Sequence, residues 1–299
     1  MTIKITKLFG LSLGILILAL LLAIAHNNFG HSTYTRADLQ TAFNKSVHWL
    51  QQNNPKLQSD HNSMLWWMLM QAEQSTNNAS LNDIITQYKS ANIQRYQSSA
   101  WSYLINETGS TSISPWSLGN LPDYNIHIIY GFSCSRSLAY EDIIKIQNKT
   151  NFCWRHHPIS PACVTHQLMA FRFMQRTGCE EPQFVADSIN ILSGYIQQQS
   201  TYDFRVVDVY LQRVLMQLDS NNQNKINPRW IKRILNAQNI DGGWGDFQPL
   251  MPVGSGKYFG FTSKGIGIRV PESTFHATAQ GVWLMRMLLQ PATPTDIQP

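Results

Sequence analysis

This chain is short of charge. Only 14% of its 299 residues are Asp, Glu, Lys or Arg, against about a quarter in ordinary globular domains. That scarcity excludes a disordered charged tail, a charged coiled coil and a nucleic-acid arm. The net charge is +5 with no dense Lys/Arg cluster. Nucleic acid is therefore not an expected partner, whereas the mild surplus suits an anionic lipid, glycan or phosphate. Gly254-Ser-Gly-Lys257 is not a P-loop, because the first glycine is missing and Tyr258 stands where a Mg²⁺-binding Ser or Thr is needed. What the chain does have is apolar. Hydrophobic residues make up 43%, including nine Trp, eleven Tyr and thirteen Phe, enough for one large domain or two small ones and a wide aromatic surface.

Lys4 and Lys7 precede an uncharged run over residues 8–25. The pattern reads as a basic flank that stays in the cytoplasm, followed by an apolar helix that enters the membrane. Ala23-Ile24-Ala25 also fits a signal-peptidase site. The run is long for a cleaved signal and just long enough to span a bilayer, which favours a signal anchor over a signal peptide. Either way the body is exported to the periplasm or cell exterior. The expected domains are 1–25 as anchor or signal, 26–35 as a polar linker, 36–290 as the folded body and 291–299 as a tail.

Export favours two disulfides among Cys134, Cys153, Cys163 and Cys179. Residues 164–177 read as a helix, so Cys163 and Cys179 should lie about 24 Å apart, too far to bridge. That removes Cys163–Cys179 and, with it, Cys134–Cys153. The short closure Cys153–Cys163 with Cys134–Cys179 is preferred.

The 3.6-residue period recurs along the body. Amphipathic helices are expected over 37–53, 80–91 and 182–199, and a mixed one over 228–239. More fully apolar ones are expected over 60–74, 163–177, 203–219 and 274–289, with less regular ones at 93–106 and 135–149. Half-buried and buried segments alternate as about five hairpins, the pattern of two concentric rings or of stacked repeats. Residues 47–53, 192–199 and 231–238 each end an outer helix with a hydrophobic pair and then Gln, a weak internal repeat.

The best-defined string is Gln238-Asn-Ile-Asp-Gly-Gly-Trp-Gly-Asp246, followed by Ser273-Thr-Phe-His276-Ala-Thr-Ala-Gln280. Physically it is a corner. Gln238 can reach helix-end carbonyls, Gly242 and Gly243 permit positive φ, and Trp244 covers the turn. The string resembles the repeat signature of the α/α-toroid superfamily of terpenoid cyclases and protein prenyltransferases, specifically over 228–289 and weakly over 37–74 and 182–219. The resemblance implies an α/α toroid of about five helical hairpins, complete or not, and so an all-α fold. Neither activity is implied: the Asp-x-Asp-Asp acid of the cyclases is absent, and of the prenyltransferase zinc set only His276 has a counterpart.

In two concentric rings the inner helices run parallel. Their N-termini meet at one rim, where free N–H groups favour anions. The first turns carry Asp60-His61-Asn62, Thr165-His166-Gln167, Asp203 with Arg205, and Thr274 with His276. Singly, Asp60, Asp203 and Thr274 read as N-caps. The coincidence of His61, His166 and His276 is what points to a mouth. Asp208 reads either as a structural partner of Arg205 or as a carboxylate beside a histidine. The loop 246–272, with a hairpin of 257–261 and 266–270 across 262–265, is expected to bring Tyr258, Lys257 and Arg269 to that mouth. The irregular stretch 107–133 would bring Trp116 and Tyr124.

The expectation is an exported enzyme that cleaves a glycan or other cell-envelope substrate, as a polysaccharide lyase or hydrolase without cofactor. His61, His166, Asp208, His276 and Tyr258 would be catalytic, with His or Asp as base and Tyr258 or His276 as acid. Arg205, Lys257, Arg269, Trp116 and Tyr124 would bind substrate. The alternatives are a non-catalytic binding or assembly module with an aromatic-filled cavity, and a zinc protein using Cys153, Cys163, His166 and His276.

Overall fold

The computed structural model describes residues 2–74, 76, 78–97, 99–105, 113, 118–156 and 160–290; Trp116 and the tail 291–299 lie outside them. The chain is mostly helical. Five helices form its centre: α4 (Ser63–Gln74), α7 (Asp123–Ser133), α11 (Cys163–Thr177), α13 (Asp208–Asp219) and α15 (Phe275–Leu289). Their sequences explain the burial. Residues 63–70 of α4 and Val209 to Asp219 of α13 have no exposed position, so neither helix has a polar face to give to water. Around them lie α2 (Arg36–Gln52), α5 (Ala79–Gln97), α12 (Pro182–Tyr202) and α14 (Pro228–Asn236), which bury one face and expose the other.

Contacts run from one inner helix to the next, and the short α6 (Ser102–Ile105) bridges the two ends of that series. α4 touches α15, α15 touches α13, α13 touches α11 and α11 touches α7, while α6 touches both α7 and α4. The sequence periodicity missed α7, which lies in the stretch read as irregular. Its isoleucines at 126, 128 and 129 are poor helix formers, and packing on α11 decides their conformation. Gly131 permits that packing, since a Cβ there would lie 2.5 Å from the Ala170 carbonyl oxygen.

The fold is not all-α. After α14 the chain forms an antiparallel meander, β1 (Gln248–Gly254), β2 (Lys257–Thr262) and β3 (Gly265–Arg269). The expected hairpin is its β2–β3 half, with Phe259 opposite Ile268 and Thr262 opposite Gly265. Other boundaries also moved. Residues 80–97 belong to one helix, 135–149 breaks into α8 (Arg136–Ala139) and α9 (Asp142–Gln147), and the helix expected from 203 begins at Asp208.

The signature string is a corner, as its chemistry implies. Gly242 has φ +97°, and Trp244 is buried with its Nε1 donating to the Ile234 carbonyl. Gln238 reaches carbonyls of Ala42 in α2 and of Gly242, rather than its own helix end. Asp241 accepts from Trp49 Nε1, Gly243 N and Ser273 Oγ, so it ties three segments together. Gly243 keeps an ordinary φ; its reason is space, because a Cβ would meet Ser273 at 2.5 Å.

The cysteines stand in the two preferred pairs at disulfide spacing. Cα–Cα distances are 5.4 Å for Cys134–Cys179 and 5.5 Å for Cys153–Cys163. The N-terminal helix α1 (Thr2–Asn28) contains an apolar stretch, Leu11–Asn28, long enough to cross a membrane. It runs past the expected boundary, and residues 26–28 are not a linker. Asn27 is buried, with Nδ2 donating to the Ser200 carbonyl at 2.7 Å and Oδ1 accepting from Tyr210 at 2.8 Å. Asn28 bonds Thr201 and Trp230, so the apolar helix ends inside the body's hydrogen-bond network.

Candidate functional site

A cavity of about 770 Å³ opens where the five inner helices begin. Each contributes its first turn: His61 to Met64 before and in α4, Tyr124 and Asn125 in α7, His166 in α11, Asp208 and Gln212 in α13, and His276 in α15. Met68, Ile128 and Met169, one or two turns further in, supply apolar wall. Five helix N-termini at one cavity bring the positive ends of five helix dipoles to it, an arrangement suited to negative charge. The caps are local chemistry. Asn62, not Asp60, caps α4 by accepting from Met64 N and Leu65 N. Thr274 caps α15 by accepting from Ala277 N.

Of the residues expected at the mouth, His61, His166, Asp208, His276 and Tyr124 line this cavity. Tyr258, Lys257 and Arg269 do not; they lie along the sheet, where Lys257 and Arg269 are exposed and Tyr258 is half-buried. The meander shows the cavity its β2–β3 turn instead, and Lys264 takes the place expected of Lys257. Arg205 is also elsewhere. It donates from Nε and Nη2 to Asp203, at 2.7 and 2.8 Å, and to the Thr262 carbonyl. Asp203 therefore caps no inner helix, and the Arg205–Asp208 pair does not form.

Asp208 has a different partner. Its carboxyl interacts with that of Asp246, the last residue of the corner string. Burial first, and then the charge of Asp246, push Asp208 up to about 7. This happens although Asp208 opens α13, where the helix dipole favours the carboxylate. Facing a second carboxylate while half-buried favours the protonated form of Asp208. Asp246 is in turn fixed by accepting from Ser263 N at 3.2 Å.

His166 and His276 are held neutral. His166 lies with Nδ1 2.7 Å from the Ala162 carbonyl, so that nitrogen carries the proton and Nε2 keeps its lone pair. Burial lowers its pKa to about 4, partly offset by that bond. Tyr124 covers the ring at 4.4 Å between centroids. His276 accepts from Gln280 Nε2 at 2.9 Å, which leaves the proton on Nδ1, and Nδ1 has no partner in the protein. Burial lowers its pKa too, opposed by Asp60 and Asp246. His61 is exposed at the rim.

Sequence reasoning missed Asp246, Arg95, Tyr96, Trp101 and Lys264. Asp246 alone had a signal, as the end of the recurring string; Arg95 and Tyr96 come from α5, an outer helix whose inner end reaches the rim. The cavity is open rather than filled by aromatics. Cys153 and Cys163 face each other and not His166, and among the described residues no group of three His, Cys, Asp or Glu could hold a metal ion. No family model matches this chain, and comparison with curated proteins and with solved structures finds no similar protein.

Proposed function

We propose that this chain is an exported, membrane-anchored α/α-toroid enzyme that cleaves an anionic glycan of the cell envelope by acid–base chemistry. The toroid reading is supported by inner-helix contacts that run in series, with α6 bridging the two ends, and by five helix N-termini at one cavity. The exported reading is supported by α1, whose apolar stretch has a mean hydropathy of 1.9, and by two cysteine pairs at disulfide spacing. One observation carries the enzymatic reading. An aspartic acid tuned to about 7 shares a cavity with a neutral histidine whose Nε2 lone pair is unengaged.

The roles follow from the protonation states. Asp208, holding its proton beside Asp246, donates it to the departing glycosidic oxygen as the C–O bond breaks. His166 Nε2 accepts a proton, either from the carbon next to a uronate carboxylate (elimination) or from a water that adds its oxygen to the sugar (hydrolysis). His276 Nδ1–H is left for a substrate oxygen that gains charge. Arg95 and Lys264, with the helix N-termini, oppose the charge of an acidic substrate. This exchanges the expected roles: an aspartic acid, not Tyr258 or His276, is the acid.

The test is to incubate the purified full chain in detergent with acidic and neutral envelope polysaccharides while following unsaturated and reducing ends. Cleavage of an acidic polymer is expected, slowed about 100-fold or more by Asp208→Asn or His166→Ala. An Asp208→Asn protein with undiminished rate, or inertness toward every acidic polymer, refutes the reading.

A further inference from the structure

Two smaller cavities continue the one described. The first, about 370 Å³, shares Tyr124 and His166 with it and reaches Ser160. The second, about 330 Å³, shares Ser160 with the first and ends between Trp154 and Tyr202. Shared wall residues set the three cavities in a row from the Asp208 centre past the N-terminus of α11, beside the corner that Cys153–Cys163 closes, and we take that row as one track.

The far end carries chemistry that the fold leaves unused. Trp154 and Tyr202 are 56% and 60% exposed, although both rings are large and apolar. Trp154 lies offset and nearly parallel to Tyr195, at 17° and 6.2 Å between centroids, which leaves its other face open. One carboxylate, Asp203, accepts from two guanidiniums, Arg205 and Arg213, and the Asp246 carboxylate also acts on Arg205. Arg213 is 2% exposed, and its Nε has no partner; Gln199 Oε1 is likewise buried and unpaired. Both residues line this cavity. A buried donor and acceptor without partners cost free energy unless a ligand meets them.

A flat apolar face, an amide acceptor and a guanidinium Nε–H without a partner together match one kind of ligand. A pyranose ring stacks on an indole, its hydroxyl donates to an amide oxygen, and its carboxylate faces guanidinium. We propose that Trp154, Tyr202, Gln199 and Arg213 form a remote subsite for an acidic sugar unit of a polymer whose scissile bond lies at Asp208. This rests on reading the main cavity as a glycan-cleaving centre. It adds that the substrate is a chain, held at both ends of the track.

The test uses the full chain carrying Asp208→Asn, so that nothing is turned over. Oligogalacturonates from disaccharide to octasaccharide are titrated by calorimetry, with cello-oligosaccharides as neutral counterparts. Affinity should rise with length. Adding Trp154→Ala or Tyr202→Ala should weaken octasaccharide binding about tenfold and remove its advantage over the disaccharide. Both side chains are exposed, so the fold should survive, which melting curves check. Equal binding of short and long oligomers, or a length advantage that survives both substitutions, overturns the subsite while leaving Asp208-dependent cleavage standing. Equal binding of neutral and acidic oligomers overturns the acidic assignment. If no acidic oligomer binds and no acidic polymer is cleaved, the glycan reading falls and the subsite falls with it.

Discussion

Replacing Asp208 with Asn keeps the shape of the Asp208–Asp246 contact and removes the titrating proton. In the folded chain Asp208 holds its proton up to about pH 7, against an ordinary 3.8. The folded state therefore binds a proton that the unfolded chain has already released. Wild-type stability should fall as pH rises from about 4 to about 7 and then level off. At 1.36 kcal/mol for each tenfold change, the penalty above pH 7 is at most about 4 kcal/mol. The asparagine escapes it, and its amide can still donate to Asp246. Asp208→Asn should therefore melt up to about 8 °C higher than wild type at about pH 8, with the gap closing near pH 4. Melts of both proteins in one detergent across that range measure this directly. A variant that is no more stable at pH 8, or equally stabilised at every pH, would mean that Asp208 has no raised proton affinity. Asp208 would then lose its claim to be the acid. A gain in stability with a loss of cleavage is the signature of a strained functional group.

Three further outcomes follow from the same structure. By loop-closure entropy, removing Cys134–Cys179, with a sequence separation of 45, should cost about 4 kcal/mol, and removing Cys153–Cys163, with a separation of 10, about 3 kcal/mol; denaturant melts of the paired Ser variants rank them, and the reverse order refutes the argument. Gly281→Ala should destabilise by about 1–3 kcal/mol, because its Cβ would meet the Trp244 ring at 2.3 Å; a shift in tryptophan emission should accompany the loss. His127 and His166 are both lowered to about 4, chiefly by burial, so the folded state favours their neutral forms. Their stabilising contribution is present above about pH 6.5 and lost as pH falls through about 4. Imidazole NMR should find both rings neutral at pH 5.5, and a ring protonated there would contradict the burial.

Much of the scaffold was legible locally. Residues 163–177 carry their own helical period, and the length of that helix was enough to remove one of the three cysteine pairings. The corner at Gln238–Trp244 was legible because turn chemistry depends on neighbours in sequence. The site was legible chiefly where polar residues opened apolar helices, as at His61, His166 and His276, while Tyr124 was placed from a stretch read as irregular. Tyr258, Lys257 and Arg269 were misplaced because a hairpin's reach depends on where its sheet docks, and the docked sheet turns Lys264 inward. Arg205 was mispaired because Asp203 takes both Arg205 and Arg213 in the break before α13, which places the start of that helix at Asp208.

By itself, then, the order of residues determined the apolar N-terminal helix, the alternation of half-buried and buried helices, and the glycine corner. Each depends on residues within a few turns of one another. Only the tertiary structure decided that α7 is a helix, that five N-termini share one cavity, and that Asp208 meets Asp246. Those outcomes depend on burial and on charges brought together from distant segments, and a carboxyl's proton affinity is set by what surrounds it rather than by what precedes it.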